Sequence, residues 1–410
     1  MNVYGIIILC ALAGEFLLNL AADLLNLRSL KPGVPPEFAD VYDSATYSKS
    51  LAYTRARTRF GLAVSGFMLL VTLGFWFTGG FDTLDRVVRG WELGFPWTGL
   101  AYIGILTLAR GLISLPFGIW STFVIEERFG FNKTTAGTYA ADVVKSALLG
   151  VAIGGGLVAG VLILFERAGP EAWLACWGFG TAAVLMIQYV APVYLMPLFN
   201  RFTPLGEGEL KTNILAYASR IGFPLQGIYV MDGSKRSSKS NAFFTGFGKN
   251  KRIALFDTLI AKHSVPELMA VLAHEIGHYK KNHIRIGMVL SVLHMGVVLF
   301  IFSYFIGHRP LFEAFFMQEM SVYAGLIIFG MLFAPIEFFV GLGMQMVSRK
   351  NEFEADRFAA DTLGTGKDLI FALKKLSSDN LSNLTPPPAC IFLHYSHPPV
   401  LQRIRELQAV

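Results

Sequence analysis

The sequence predicts a mainly α-helical integral membrane protein of seven spans. Composition and the spacing of apolar segments carry this reading. Of the 410 residues 53% are hydrophobic and only 16% charged, with a mean hydropathy of +0.50. Soluble domains average about 25% charged residues. Apolar segments near the roughly 20 residues that cross a bilayer occur at 3–25, 61–80, 98–120, 146–165, 172–195, 286–307 and 321–346. The lipid bilayer is therefore an expected partner. The first segment has no small-residue cleavage site and contains Glu15 and Asp23, so it reads as a retained span and not a removed signal peptide.

Lys and Arg placement orients the spans. The first loop region holds Arg28, Lys31, Lys49, Arg55, Arg57 and Arg59, whereas the loops of the other side hold Arg86, Arg89, Arg167 and Arg309. The N-terminus is expected outside, and the 200–285 segment and C-terminal region in the cytosol. The net charge of +6 follows this asymmetry. No basic, aromatic-interleaved stripe accompanies it, so nucleic acid is not expected. Cys10, Cys176 and Cys390 form an odd, dispersed set that argues against a disulfide framework, and none is placed like a zinc ligand. Glu15, Asp23, Arg110, His294 and Glu337 sit in apolar segments. Five such groups point to a hydrated interior.

The run His274-Glu275-Ile276-Gly277-His278 supplies the chemistry. Residues i and i+4 share a helix face. Two imidazoles so placed suit one Zn²⁺, and the Glu beside them suits a general base. Ser264 and Glu267 make a capping box and Pro266 sits in the first turn, where its missing N–H costs nothing. A third ligand is expected from 351–360, a run free of Pro and Gly. There Glu352 and Asp356 are again i and i+4. One carboxylate can complete a His₂Glu set, and the other can orient an imidazole from behind. Glu354 is a rival, pointing about 200° away around the helix, and spacing alone does not choose between Glu352 and Glu354.

Residues 200–283 form the longest stretch without a span. Strand-like runs occur at Gly227 to Met231 and Arg252 to Phe256, and 241–257 reads as a β-hairpin with its turn near Lys249-Asn250. A strand edge beside a metal site can take up an extended peptide. Near the C-terminus, His397 precedes Pro398-Pro399 and a short basic helix containing Arg403.

Together these motifs resemble the type I CAAX prenyl proteases, a family of membrane zinc metalloproteases. The resemblance rests on Phe123 to Lys133, Met196 to Asn200, Ser240 to Phe243, the His274–His278 motif with His283, Glu352 to Asp356, and Ser396 to Pro399. It implies one Zn²⁺ held by His274, His278 and Glu352, with Asp356 behind them and Glu275 as base. His397 and Arg403 would line the active site, and Asn241, Ala242 and Phe243 would begin the substrate-aligning edge strand. The implied fold is seven transmembrane helices around a hydrated chamber, with a zincin-like metalloprotease domain carrying the small hairpin. The expected division is 1–199 (spans one to five), 200–285 (metalloprotease segment), 286–346 (spans six and seven) and 347–410 (C-terminal cytosolic region). The implied substrate is a peptide or protein, prenylated in the family's type reaction. The C-terminus Arg405 to Val410 carries no dilysine-type retrieval signal, so a bacterial inner-membrane member is expected, its active site facing the cytosol. Two other functions are compatible with these features: membrane-protein quality control of the HtpX-like kind, and a non-proteolytic transporter or lipid-binding protein retaining a zinc site. A complete ligand-and-base set argues against the latter.

Overall fold

The computed structural model describes residues 1–245 and 251–409. Five long helices open the chain: α1 (Val3–Ser29), α2 (Ser44–Phe77), α3 (Trp97–Glu126), α4 (Ala136–Arg167) and α5 (Gly169–Leu198). A soluble helix, α6 (Glu209–Arg220), and the motif helix α7 (Val265–Lys280) follow. The last two long helices are α8 (His283–Phe305) and α9 (Val322–Leu363). Among the described residues, seven helices are thus long and apolar enough to cross a membrane, matching the seven expected segments.

The helix starts follow local chemistry. Asn2, Asp43 and Ser321 each accept a hydrogen bond from a first-turn amide, of Gly5, Thr46 and Ala324, and so cap α1, α2 and α9. Wide π-type turns interrupt α3 at Ser121–Glu126, α4 at Gly150–Gly154 and α5 at Ala191–Leu195. That in α5 contains Pro192, which withdraws an amide from the helical ladder. In the most apolar stretch of α2, α3, α4 and α5 only 6% of residues are buried, against 28% in α9.

The structure departs from the sequence reading in two places. The expected boundary at 346/347 falls inside a continuous 42-residue helix, α9. Neither Gly nor Pro occurs between Gly343 and Gly364, and Gly364, at φ +78°, ends the helix. The hairpin is part of a larger sheet. Strands β1 (Phe202–Pro204), β2 (Leu225–Met231), β3 (Ala242–Thr245) and β4 (Lys251–Phe256) are ordered β1-β2-β4-β3. β3 pairs antiparallel with β4 as expected, while β2 runs parallel to β4 and β1 antiparallel to β2. The Lys249-Asn250 turn lies outside the described residues. α7 packs behind this sheet, its Leu268, Leu272 and Ile276 buried with Ile253, Leu255 and Leu259. The chain closes with α10 (Lys367–Asp379), α11 (Pro388–His394) and α12 (Val400–Gln408).

Candidate active site

The capping box at the start of α7 is formed in both directions: the Ser264 hydroxyl accepts from the amide at Glu267, and the Glu267 carboxylate accepts from the Ser264 amide. From that fixed start the 3.6-residue period carries His274 and His278 to one face, turned toward α9. The C-terminal part of α9 presents Glu352 and Asp356, both almost fully buried.

Ligand-type atoms of three residues converge. His274 Nε2 and His278 Nε2 are 3.2 Å apart. Glu352 Oε2 lies 3.5 Å from His274 Nε2, and Glu352 Oε1 3.3 Å from His278 Nε2. This group could hold a metal ion. Glu352 Oε2 is buried and accepts no well-directed hydrogen bond among the described residues. Glu354, the rival, is turned away and its Oε2 lies 3.2 Å from His283 Nε2.

Behind the triangle lies a second layer of polar contacts. Asp356 Oδ1 is 2.8 Å from His274 Nδ1. Arg403, from α12, donates to both Asp356 oxygens, at 2.8 Å from Nε and 2.6 Å from Nη2, and its Nη1 lies 3.2 Å from Glu352 Oε2. On the other flank His278 Nδ1 is 3.1 Å from His283 Nδ1, which continues the chain to Glu354. The raised pKa of His274 fits this setting. Burial alone would depress it, but the carboxylates of Asp356 and Glu352 outweigh burial and push it to about 9. A proton and a metal compete for its ring.

Glu275 is a non-ligand on the same helix, one residue past His274. Burial pushes its carboxyl above the ordinary value, toward the range a general base needs. His397 reaches the cluster from the far side, its Nε2 3.2 Å from Glu352 Oε1, with a side chain 64% exposed. Arg403 is also brought to the cluster. It is buried and donates to Asp356.

Ala242 and Phe243 lie on β3, an edge strand of the sheet, and Asn241 immediately precedes it. One side of β3 pairs with β4. Phe244 leans on Tyr279 of α7, ring centroids 6.1 Å apart, so the edge runs beside the motif helix. Two contacts fix the approach to this strand: Ser240 N donates to Asn380 Oδ1 at 3.2 Å, and Lys239 Nζ reaches Glu126 at 2.8 Å. His283 and Glu354 as a supporting pair, and Asn380 and Glu126 as anchors, were not assigned from the sequence. Glu126 and His283 fall within the motifs that carried the resemblance, which was the available signal.

Residues 23–201 match the model for the CAAX prenyl protease N-terminal region of five membrane helices, and 204–410 match peptidase family M48. The chain belongs to this family. It is 37% identical to CAAX prenyl protease 1 homolog of Arabidopsis thaliana, over 94% of this chain and 93% of that one. It is 35% identical to CAAX prenyl protease 1 of Saccharomyces cerevisiae, over 92% and 89%. The crystal structure of S. mikatae Ste24p superposes with a TM-score of 0.92 at 34% identity, covering 99% of both chains. The protein is therefore a multi-pass membrane metallopeptidase of the CAAX prenyl protease type. Full-length coverage on both sides favours this over the HtpX-like and transporter readings.

Proposed function

We propose that the protein is a zinc endopeptidase that cleaves the C-terminal residues from prenylated CAAX chains. The carrying observation is the triangle of His274, His278 and Glu352 in a chain collinear with CAAX prenyl protease 1 relatives. Zn²⁺ takes tetrahedral nitrogen and oxygen ligands at about 2.0–2.1 Å, which sets them about 3.3 Å apart. The two Nε2 atoms are 3.2 Å apart, and each has a Glu352 oxygen at 3.3 or 3.5 Å, close to that spacing. Zn²⁺ bound there would supply Lewis acidity, acidifying water and polarising the scissile carbonyl.

The remaining steps belong to the chain. The substrate backbone adds to the free edge of β3 at Asn241, Ala242 and Phe243, in register with the motif helix. Glu275 takes a proton from the attacking water and returns it to the leaving amine. His397, exposed toward that space, donates to the developing oxyanion. Asp356 and Arg403 hold His274 and Glu352 in place.

The Lys/Arg asymmetry supports a cytosolic active site. The relatives named above are eukaryotic and lend no support to a bacterial inner membrane. The test is cleavage of a farnesylated CAAX peptide by purified protein, with Glu275→Ala as control. Cleavage that continues after exhaustive chelation, or equally fast in Glu275→Ala, refutes the mechanism. Equal rates on the unprenylated peptide refute the prenyl requirement.

A further inference from the structure

A second group of metal-ligating side chains lies away from the triangle. Asp23 on α1 meets Cys390 and His394, which are i and i+4 on α11, and their donor atoms all lie within 4.8 Å of one another. The sequence reading placed no cysteine as a zinc ligand, because Asp23 is 367 positions from Cys390 and only the fold joins them.

We propose that Asp23, Cys390 and His394 form a second divalent-metal site, taking Zn²⁺ or a similar borderline cation. The donor chemistry selects the ion. A thiolate, an imidazole and a carboxylate together suit Zn²⁺ and exclude Mg²⁺ and Ca²⁺, which take oxygen ligands. Asp23 sits half-buried in a largely apolar helix, a placement that is costly without a partner. Neither Asp23 nor His394 is in ion-pair contact among the described residues, although their ligand atoms approach within 4.8 Å. A tetrahedral site needs separations of roughly 3.3–3.7 Å. The exposed side chain of His394 can close that distance, and metal binding would displace the thiol proton that Cys390 Sγ donates to Ala22 O at 3.4 Å in the free site.

The scaffold around the site is fixed. Gln345 Nε2 donates to Leu393 O at 3.3 Å, and Arg349 Nη1 donates to Tyr395 O at 2.6 Å. Both donors project from α9, the helix that carries Glu352. An ion at Asp23–Cys390–His394 would staple α1 to the segment that ends in His397.

Cobalt separates the two sites, because only the second contains sulfur. Full-length protein stripped of metal and reloaded with Co²⁺ should bind two ions and show an intense near-ultraviolet thiolate-to-cobalt charge-transfer band. His274→Ala/Glu352→Ala should keep the band and one ion. Cys390→Ser should lose the band, keep one ion, and retain peptidase activity on reloading with Zn²⁺. His394→Ala and Asp23→Asn should weaken the band's affinity for Co²⁺ at least tenfold, which guards against a misfolded Cys390→Ser. One ion per chain without a thiolate band overturns the proposal, as does a band that survives Cys390→Ser.

Discussion

Gly277 meets the backbone of Ala355 so closely that a Cβ built at Gly277 would lie 3.1 Å from both the Ala355 Cα and its carbonyl oxygen. α7 and α9 touch there, one turn from the ligands each carries. The glycine inside the motif thus lets the two halves of the candidate metal site approach. Helix propensity alone would make Gly277→Ala stabilising by about 0.8–1 kcal/mol. Overpacking against rigid backbone should cost more, about 1–3 kcal/mol. The variant should therefore melt at lower temperature and bind Zn²⁺ more weakly. A raised Tm with unchanged zinc affinity would show that the helices have room to spare.

Asp356 should act on metal affinity through His274. Its Oδ1 lies 2.8 Å from His274 Nδ1, and Arg403 fixes its other contacts. Losing such an orienting carboxylate typically costs about 10–100-fold in affinity. Asp356→Asn should show that loss in a chelator-competition titration. Wild-type affinity would mean that packing alone holds the ring.

How much of this was legible depends on the range of each signal. His274 and His278 could be read directly, because a four-residue spacing on a helix is local. Glu352 could not be separated from Glu354 by spacing, since both lie on one helix and only the packing of α9 on α7 decides which faces the histidines. The strands were visible as short apolar runs, but the parallel β2–β4 pairing was not, because it joins segments separated by β3 and the loops around it. β1, three residues ending in Pro204, carries too little pattern to show as a strand. The seventh span and the carboxylate helix looked like two elements because hydropathy drops near 347, while the backbone has no reason to stop before Gly364. His283 and Glu354 pair across 71 positions, and the fold brings Asp23 near Cys390 across 367; no single-sequence rule reaches that far.

Acid should weaken one tie between α7 and α10. Burial of Glu267 opposes its charge, but hydrogen bonds from Lys375 and the Ser264 amide outweigh burial and hold its pKa below the ordinary value. Lys375 Nζ lies 2.7 Å from Glu267 Oε1. A depressed carboxylate contributes stability that is present above its unfolded pKa and lost as pH falls through the folded one. Lys375→Met should therefore lower Tm at neutral pH. The gap to wild type should shrink below about pH 4.3, the ordinary Glu value. A gap that stayed constant from pH 7 to pH 3 would show that the pair contributes packing alone.

Glu275→Gln should bind Zn²⁺ as the wild type does and lose about 10²–10⁴-fold in turnover, the usual contribution of a general base. The residue lies on the ligand helix without touching the ligand triangle, so metal content and activity separate in this variant. His278→Ala should lose both. Wild-type turnover in Glu275→Gln would remove it from proton transfer.

His397 offers the sharpest test of the substrate side. Its Nε2 is 3.2 Å from Glu352 Oε1 and its side chain is 64% exposed, while Ser396 Oγ sits 2.9 Å from Nδ1. A ring so exposed contributes little packing, so His397→Ala should melt near the wild-type temperature and keep its Zn²⁺. If the ring donates to the oxyanion, the interaction exists mainly in the transition state. The variant should then lose about 10²–10³-fold in kcat with little change in KM. If His397 serves instead to hold the Pro398-Pro399 turn and, through it, α12 with Arg403, Tm and zinc content should fall together with activity. Full activity at normal stability would exclude the residue from the site. Measuring kcat, KM, zinc content and Tm on this one variant distinguishes the three outcomes.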